Sequence, residues 1–118
     1  MMTLHRLPLN CFTKRSNLLS NLNYCNRFMD YLVDVLDVTE IGRIAHLIGG
    51  ASWNGKEPGV SITSMYIESG SQLHTWPEKN EFYLDITSCK EFSNAVVITA
   101  VENFFDAEVT ELCVILKE

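Results

Sequence analysis

Val60, Ile62, Ser64 and Tyr66 alternate with Ser61, Thr63, Met65 and Ile67, and Phe82, Leu84 and Ile86 alternate with Tyr83, Asp85 and Thr87. A period of two marks a strand that turns one face to a core. The chain must therefore build a sheet and find something to cover its apolar side. Leu18, Leu22, Cys25, Met29, Leu32 and Leu36 recur in steps of four and three, which predicts a helix with an apolar stripe, capped by Ser16. A second helix is predicted through "FSNAVVITAVENFF", with Ser88 and Glu91 at capping-box spacing ahead of it. Residues 3 to 12, Ile41 to Ile48 and "EVTELCVILK" supply further strands, and "GGASWNGKEPG" (49 to 59) reads as a loop through its Asn-Gly and Pro-Gly signals. One helix after the first strand and one before the last give an α+β two-layer sandwich: a mostly antiparallel sheet with two helices on one face.

With 118 residues and neither repeat nor linker, residues 1–118 are expected to form one domain. The 47% apolar and 20% charged composition is that of a chain that folds rather than of a disordered one. A net charge of -6, with nine scattered Lys and Arg, argues against a nucleic-acid partner, because phosphate binding needs a basic face. The longest apolar run, near Ala95 to Val101, is far short of a membrane span, and the first residues lack the apolar core of a signal peptide. A cytoplasmic protein without membrane contact is the expectation.

The four cysteines, Cys11, Cys25, Cys89 and Cys113, have neither C-x-x-C spacing nor partnered histidines, so neither a zinc site nor a disulfide framework is expected. Three of them read as buried packing residues. If Ser88 caps the second helix, Cys89 falls in its first turn, where unpaired amides favour a thiolate, so it is either reactive or one more packing residue. His74, on a predicted strand, is equally open between a structural histidine and a catalytic one. There is no G-x-S-x-G elbow, phosphate-binding glycine loop or H-E-x-x-H helix.

"GVSITSMYIESGSQLHTWPEKNEFYLDITSC", Gly59 to Cys89, resembles the core of the small prokaryotic type of S-adenosylmethionine decarboxylase, a self-cleaving pyruvoyl enzyme. Its hallmarks are a Glu-Ser pair, then His-Thr-Trp-Pro-Glu, then an Asp-containing strand ending in Thr-Cys or similar. The resemblance implies cleavage between Glu68 and Ser69, with Ser69 becoming the pyruvoyl cofactor, Ser61 assisting, His74 as the processing histidine and Cys89 as the catalytic cysteine. It implies a homodimer with sites near the subunit interface, and no metal or external cofactor.

The residue types suit that chemistry. Ser69 would attack the Glu68 carbonyl and move the acyl group from nitrogen to oxygen, with Ser61 as a donor to the developing oxyanion. His74 would then take the Ser69 α proton so that the ester is eliminated. The pyruvoyl ketone would form a Schiff base with the substrate amine and accept the electrons freed as carbon dioxide leaves, and Cys89 would return a proton. For a sulfonium nucleoside, Trp53 and Trp76 offer aromatic faces and Glu78 a carboxylate for the ribose diol, although tryptophans are usually core and Glu78 suits an exposed turn. The implied product is the aminopropyl donor for spermidine biosynthesis.

The chain departs from the family pattern at Gly70, where histidine is usual, and at Lys90, where glycine is usual. Two alternatives stay open: the same machinery acting on another amino acid such as ornithine or arginine, and a non-processing regulatory partner of a true enzyme subunit.

Overall fold

A computed structural model of the chain describes residues 3–49 and 57–117. Seven strands lie in one sheet among these residues: β1 (Thr3–Thr13), β2 (Glu40–Ile48), β3 (Gly59–Tyr66), β4 (Ser69–Trp76), β5 (Glu81–Ser88), β6 (Ala107–Glu111) and β7 (Val114–Lys117). They run in the order β2-β3-β4-β5-β1-β6, with β7 on another stretch of β1, and every pairing is antiparallel. The α-helices among the described residues are α1 (Ser16–Leu19), α2 (Leu22–Leu36) and α3 (Asn94–Phe105). The fold is the α+β sandwich that the alternation predicts.

The strand alternation decides which side is covered. Leu7, Leu9 and Cys11 of β1, Ile62 of β3, Leu73 of β4 and Phe82, Leu84 and Ile86 of β5 are buried in one cluster with Phe28, Met29 and Leu32 of α2 and Val97, Val101 and Phe105 of α3. The Phe105 ring lies 4.7 Å from Phe82 and 5.0 Å from Phe28, joining sheet to both long helices. Each such side chain, fully buried, contributes about 1.5–3 kcal/mol. Among the described residues the opposite face carries no helix, and Phe12, Met65 and Trp76 stand exposed on it.

Several boundaries differ from the sequence expectation. The first helix is interrupted: the Thr75 hydroxyl donates to the Leu19 carbonyl at 2.6 Å, ending α1, and the Asn21 side chain accepts from the Tyr24 amide to start α2. Ser16 lies inside α1 and is not its cap, a place held by Arg15. Ser88 does not cap α3 either. Ser93 does, accepting from the Val96 amide at 3.2 Å, while the Ser88 hydroxyl accepts from the Lys90 amide within a turn. Cys89 therefore lies in that turn and not in a helical first turn. The closing strand divides at residues 112–113. The Leu112 amide donates to the Pro8 carbonyl, but Pro8 has no N–H to return, so the ladder is broken there. Cys11 and Cys25 are buried as expected, whereas Cys113 is exposed.

The His-Thr-Trp-Pro run is locked by its threonine. Thr75 faces the helices, where its hydroxyl accepts from the Val60 amide at 2.7 Å as well as holding Leu19. Its backbone comes so close to Gly59 that a Cβ there would stand 2.4 Å from the Thr75 carbonyl oxygen. Only glycine permits that approach. The neighbours His74 and Trp76 are thereby directed to the helix-free face.

Candidate active site

The Glu68–Ser69 bond lies at the tip of the β3–β4 hairpin, in a two-residue turn of Ile67 and Glu68. Glu68 has φ 60°, the left-handed region that glycine or asparagine ordinarily fills. The strained residue is thus the one immediately before the candidate scissile bond. Its carbonyl oxygen accepts a hydrogen bond from the Cys89 backbone amide at 3.4 Å, and the Ser69 hydroxyl donates to the Ile67 carbonyl at 3.4 Å. A backbone N–H aimed at a carbonyl polarises it and is placed to bear part of an oxyanion's charge. The alternating pattern gives no sign of this amide, because it depends on β5 running past the hairpin tip. Cys89 itself is exposed.

The other motif residues lie elsewhere. Ser61 and His74 are cross-strand partners, and His74 Nδ1 lies 3.0 Å from the Ser61 hydroxyl. They sit at the far end of the same hairpin, five positions from Ser69, or about 16 Å of extended strand. One extended strand thus keeps Ser61 and His74 away from the Ser69 of their own chain, since an alternating hairpin cannot fold back on itself. Trp76, its ring 6.4 Å from His74, and Glu78 keep them company. Pro77 is buried and starts a 3-10 turn that presents Glu78 at the surface. Ser61, His74, Trp76 and Glu78 line one hollow of about 220 Å³ together with Glu57 and Gly59. Ser69 lines two others: one of about 280 Å³ with Thr63, Met65, Gly70, Gln72, Asp85 and Thr87, and a narrow one on the helix side of the sheet with Tyr66, Ile86, Ser88 and Phe92. Trp53 lies outside the described residues.

Asp85 on this face is paired: Arg6 meets its carboxylate at 3.0 Å through Nη2 and 3.2 Å through Nε, which raises the Arg6 pKa above its ordinary value. Among the described residues no three His, Cys, Asp or Glu side chains are grouped to hold a metal ion, and no helix is long and apolar enough to cross a membrane.

A family model described as S-adenosylmethionine decarboxylase matches residues 6–118. The chain belongs to the S-adenosylmethionine decarboxylase family. The match takes in the N-terminal half as well as the motif-bearing hairpin. The fold is also similar to a crystal structure titled adenosylmethionine decarboxylase from Aquifex aeolicus VF5, with a TM-score of 0.77 and 14% identity over 96% of this chain and 88% of that one. At that identity the likeness establishes the architecture, and the chemistry of this family member rests on its own residues.

Proposed function

We propose that the chain is a pyruvoyl-dependent S-adenosylmethionine decarboxylase that makes its cofactor by cutting itself between Glu68 and Ser69, and that two copies share each site. The observation carrying this reading is the left-handed Glu68, with its carbonyl on the Cys89 amide and Ser69 as the next residue. Attack by the Ser69 hydroxyl on the Glu68 carbonyl carbon breaks the Glu68–Ser69 C–N bond and leaves an ester, with the Cys89 amide bearing the oxyanion in between. Removal of the Ser69 α proton expels the Glu68 carboxylate from Cβ. The dehydroalanine left at position 69 tautomerises and is hydrolysed, losing ammonia and leaving a pyruvoyl group.

The residues around position 69 fit such a group: the position opens on the hollow of about 280 Å³ on one side and borders Ser88, Lys90 and Phe92 of the Cys89 turn on the other. There the pyruvoyl carbonyl supplies an electron sink for loss of the substrate carboxylate. Cys89 holds the proton destined for the substrate α carbon, and Trp76 and Glu78 bind the nucleoside.

The separation of Ser69 from His74 within one chain supports a site completed by a second copy. Two helix-free faces brought together about a two-fold axis, with strands running in opposite directions, bring the His74 end of one hairpin to the Glu68–Ser69 turn at the tip of the other, twice over. Burial of Phe12, Met65 and Trp76, exposed in one copy, favours that pairing. The reaction would supply the aminopropyl donor for spermidine biosynthesis, in the cytoplasm.

Intact mass under denaturing conditions tests the first step. Chains of residues 1–68 and 69–118 are expected from the wild type, the second blocked to N-terminal sequencing, and one whole chain from Ser69→Ala. A wild type that stays whole after long incubation favours the regulatory-partner reading instead. A second substrate reading rests on Gly70, which leaves the hollow beside Ser69 without a side chain. Carbon dioxide released from labelled ornithine or arginine, and none from S-adenosylmethionine, would change the substrate and keep the mechanism.

A further inference from the structure

Segment 89–93 joins β5 to α3 outside any helix or strand, yet its first amide must meet the Glu68 carbonyl. At 3.4 Å that bond is at the long end of the useful range, so a small displacement of the turn abolishes it. Two tethers near Cys89 are weak anchors. The Ser88 hydroxyl accepts from the Lys90 amide within the turn itself, and Lys90 Nζ donates to the Asp37 carbonyl at 3.0 Å with both side chains in solvent.

The buried anchor is His5 of β1, the cross-strand partner of Ser88. Its ring stacks on Phe92, centroids 3.9 Å apart and planes 9° from parallel. Nδ1 accepts from the Phe92 amide at 3.4 Å, which leaves the proton on Nε2 to donate to Asn94 Oδ1 at 2.7 Å. Asn94 is itself oriented by Glu111, to which its Nδ2 donates at 3.0 Å. Nδ1 and one ring face are thus committed to Phe92 in the segment between Cys89 and α3, and Nε2 to Asn94, the first residue of α3. The phenyl and amide groups they hold cannot shift far without losing the ring stacking and two part-buried hydrogen bonds.

We propose that His5 is the positioning residue of this turn, keeping the Cys89 amide on the scissile carbonyl. The proposal rests on the self-cleavage reading, and it deepens that reading by adding a residue that touches neither Ser69 nor substrate.

The test combines cleavage rates with amide hydrogen exchange over residues 89–93, the exchange measured in a Ser69→Ala background so that it does not depend on cleavage. His5→Phe keeps a flat buried ring and removes both hydrogen bonds. It should slow self-cleavage roughly tenfold, the scale of one lost hydrogen bond, and speed exchange over 89–93, with melting behaviour retained. His5→Asn keeps an acceptor in place of Nδ1 and should return the cleavage rate to within about threefold of wild type, a rescue that a purely space-filling role would not give. His5→Phe that folds and cuts at the wild-type rate overturns the proposal, as does unchanged exchange over 89–93. If the wild type does not cut, the self-cleavage reading fails on its own, and exchange alone decides whether His5 holds the turn. Should His5→Phe not fold, Asn94→Ala, which removes the Nε2 acceptor, is expected to slow cleavage severalfold, and an unchanged rate there overturns the proposal equally.

Discussion

At the scale of single residues, the proposed self-cleavage turns on a non-glycine residue in a glycine conformation. Glu68 at φ 60° stores backbone strain next to the bond that self-cleavage would break, so cutting there relieves it. His74 and Cys89 should fail in different ways. His74→Ala should accumulate an ester that hydroxylamine cuts, because only proton removal is lost, whereas Cys89→Ala retains its backbone amide and should still process while losing most turnover. A Cys89→Ala enzyme that decarboxylates as fast as wild type would remove the thiol from the mechanism. The two packing thiols set a pH limit on stability. Burial pushes Cys11 and Cys25 up to about 12 from an ordinary 9.0, with Glu102 adding to the effect at Cys11. The folded state holds these protons after the unfolded chain has released them. The associated stability is whole below pH 9.0 and is lost as pH rises toward 12. Urea unfolding across that range should show a steep decline that the Cys11→Ala, Cys25→Ala double variant flattens. Tyr66, also raised chiefly by burial, leaves a residual slope of the same sign.

At the scale of elements, the β3–β4 hairpin is a ruler. One end carries Glu68 and Ser69, the other Ser61 and His74, and its far end is fastened by Thr75 and Gly59. Thr75→Val keeps the volume but leaves the buried Val60 amide unpaired, and should cost about 1–3 kcal/mol by chemical denaturation. Gly59→Ala must push the Thr75 carbonyl away, since 2.4 Å is no contact a real Cβ makes. It should destabilise the chain and separate Ser61 from His74. The expected reading is impaired processing together with a lowered melting temperature, and a variant of wild-type stability would show that the two strands can part there at no cost.

At the scale of the whole molecule, the proposed two-copy site makes complementation the decisive measurement. A Ser69→Ala chain supplies an intact His74, and a His74→Ala chain supplies an intact Ser69. Neither should cut alone at a useful rate, and mixing with subunit exchange should restore cleavage of the His74→Ala chain only. No cleavage in exchanged mixtures would sink the two-copy site. Much of this molecule was legible in its residues. Period-two alternation at Val60–Tyr66 and Phe82–Ile86 and the stripe from Leu18 to Leu36 depend on burial alone, which local spacing reports. The Glu-Ser and His-Thr-Trp-Pro-Glu runs marked the candidate chemistry. Spacing could not show that Ser88 leaves α3 to Ser93, that the Cys89 amide reaches Glu68, or that His5 holds Phe92, because each contact is made between segments brought together by strand order. The separation of His74 from Ser69 has the same origin. A sequence places them five residues apart whether the chain curls or extends, and only pairing into the sheet fixes the extended form and the distance.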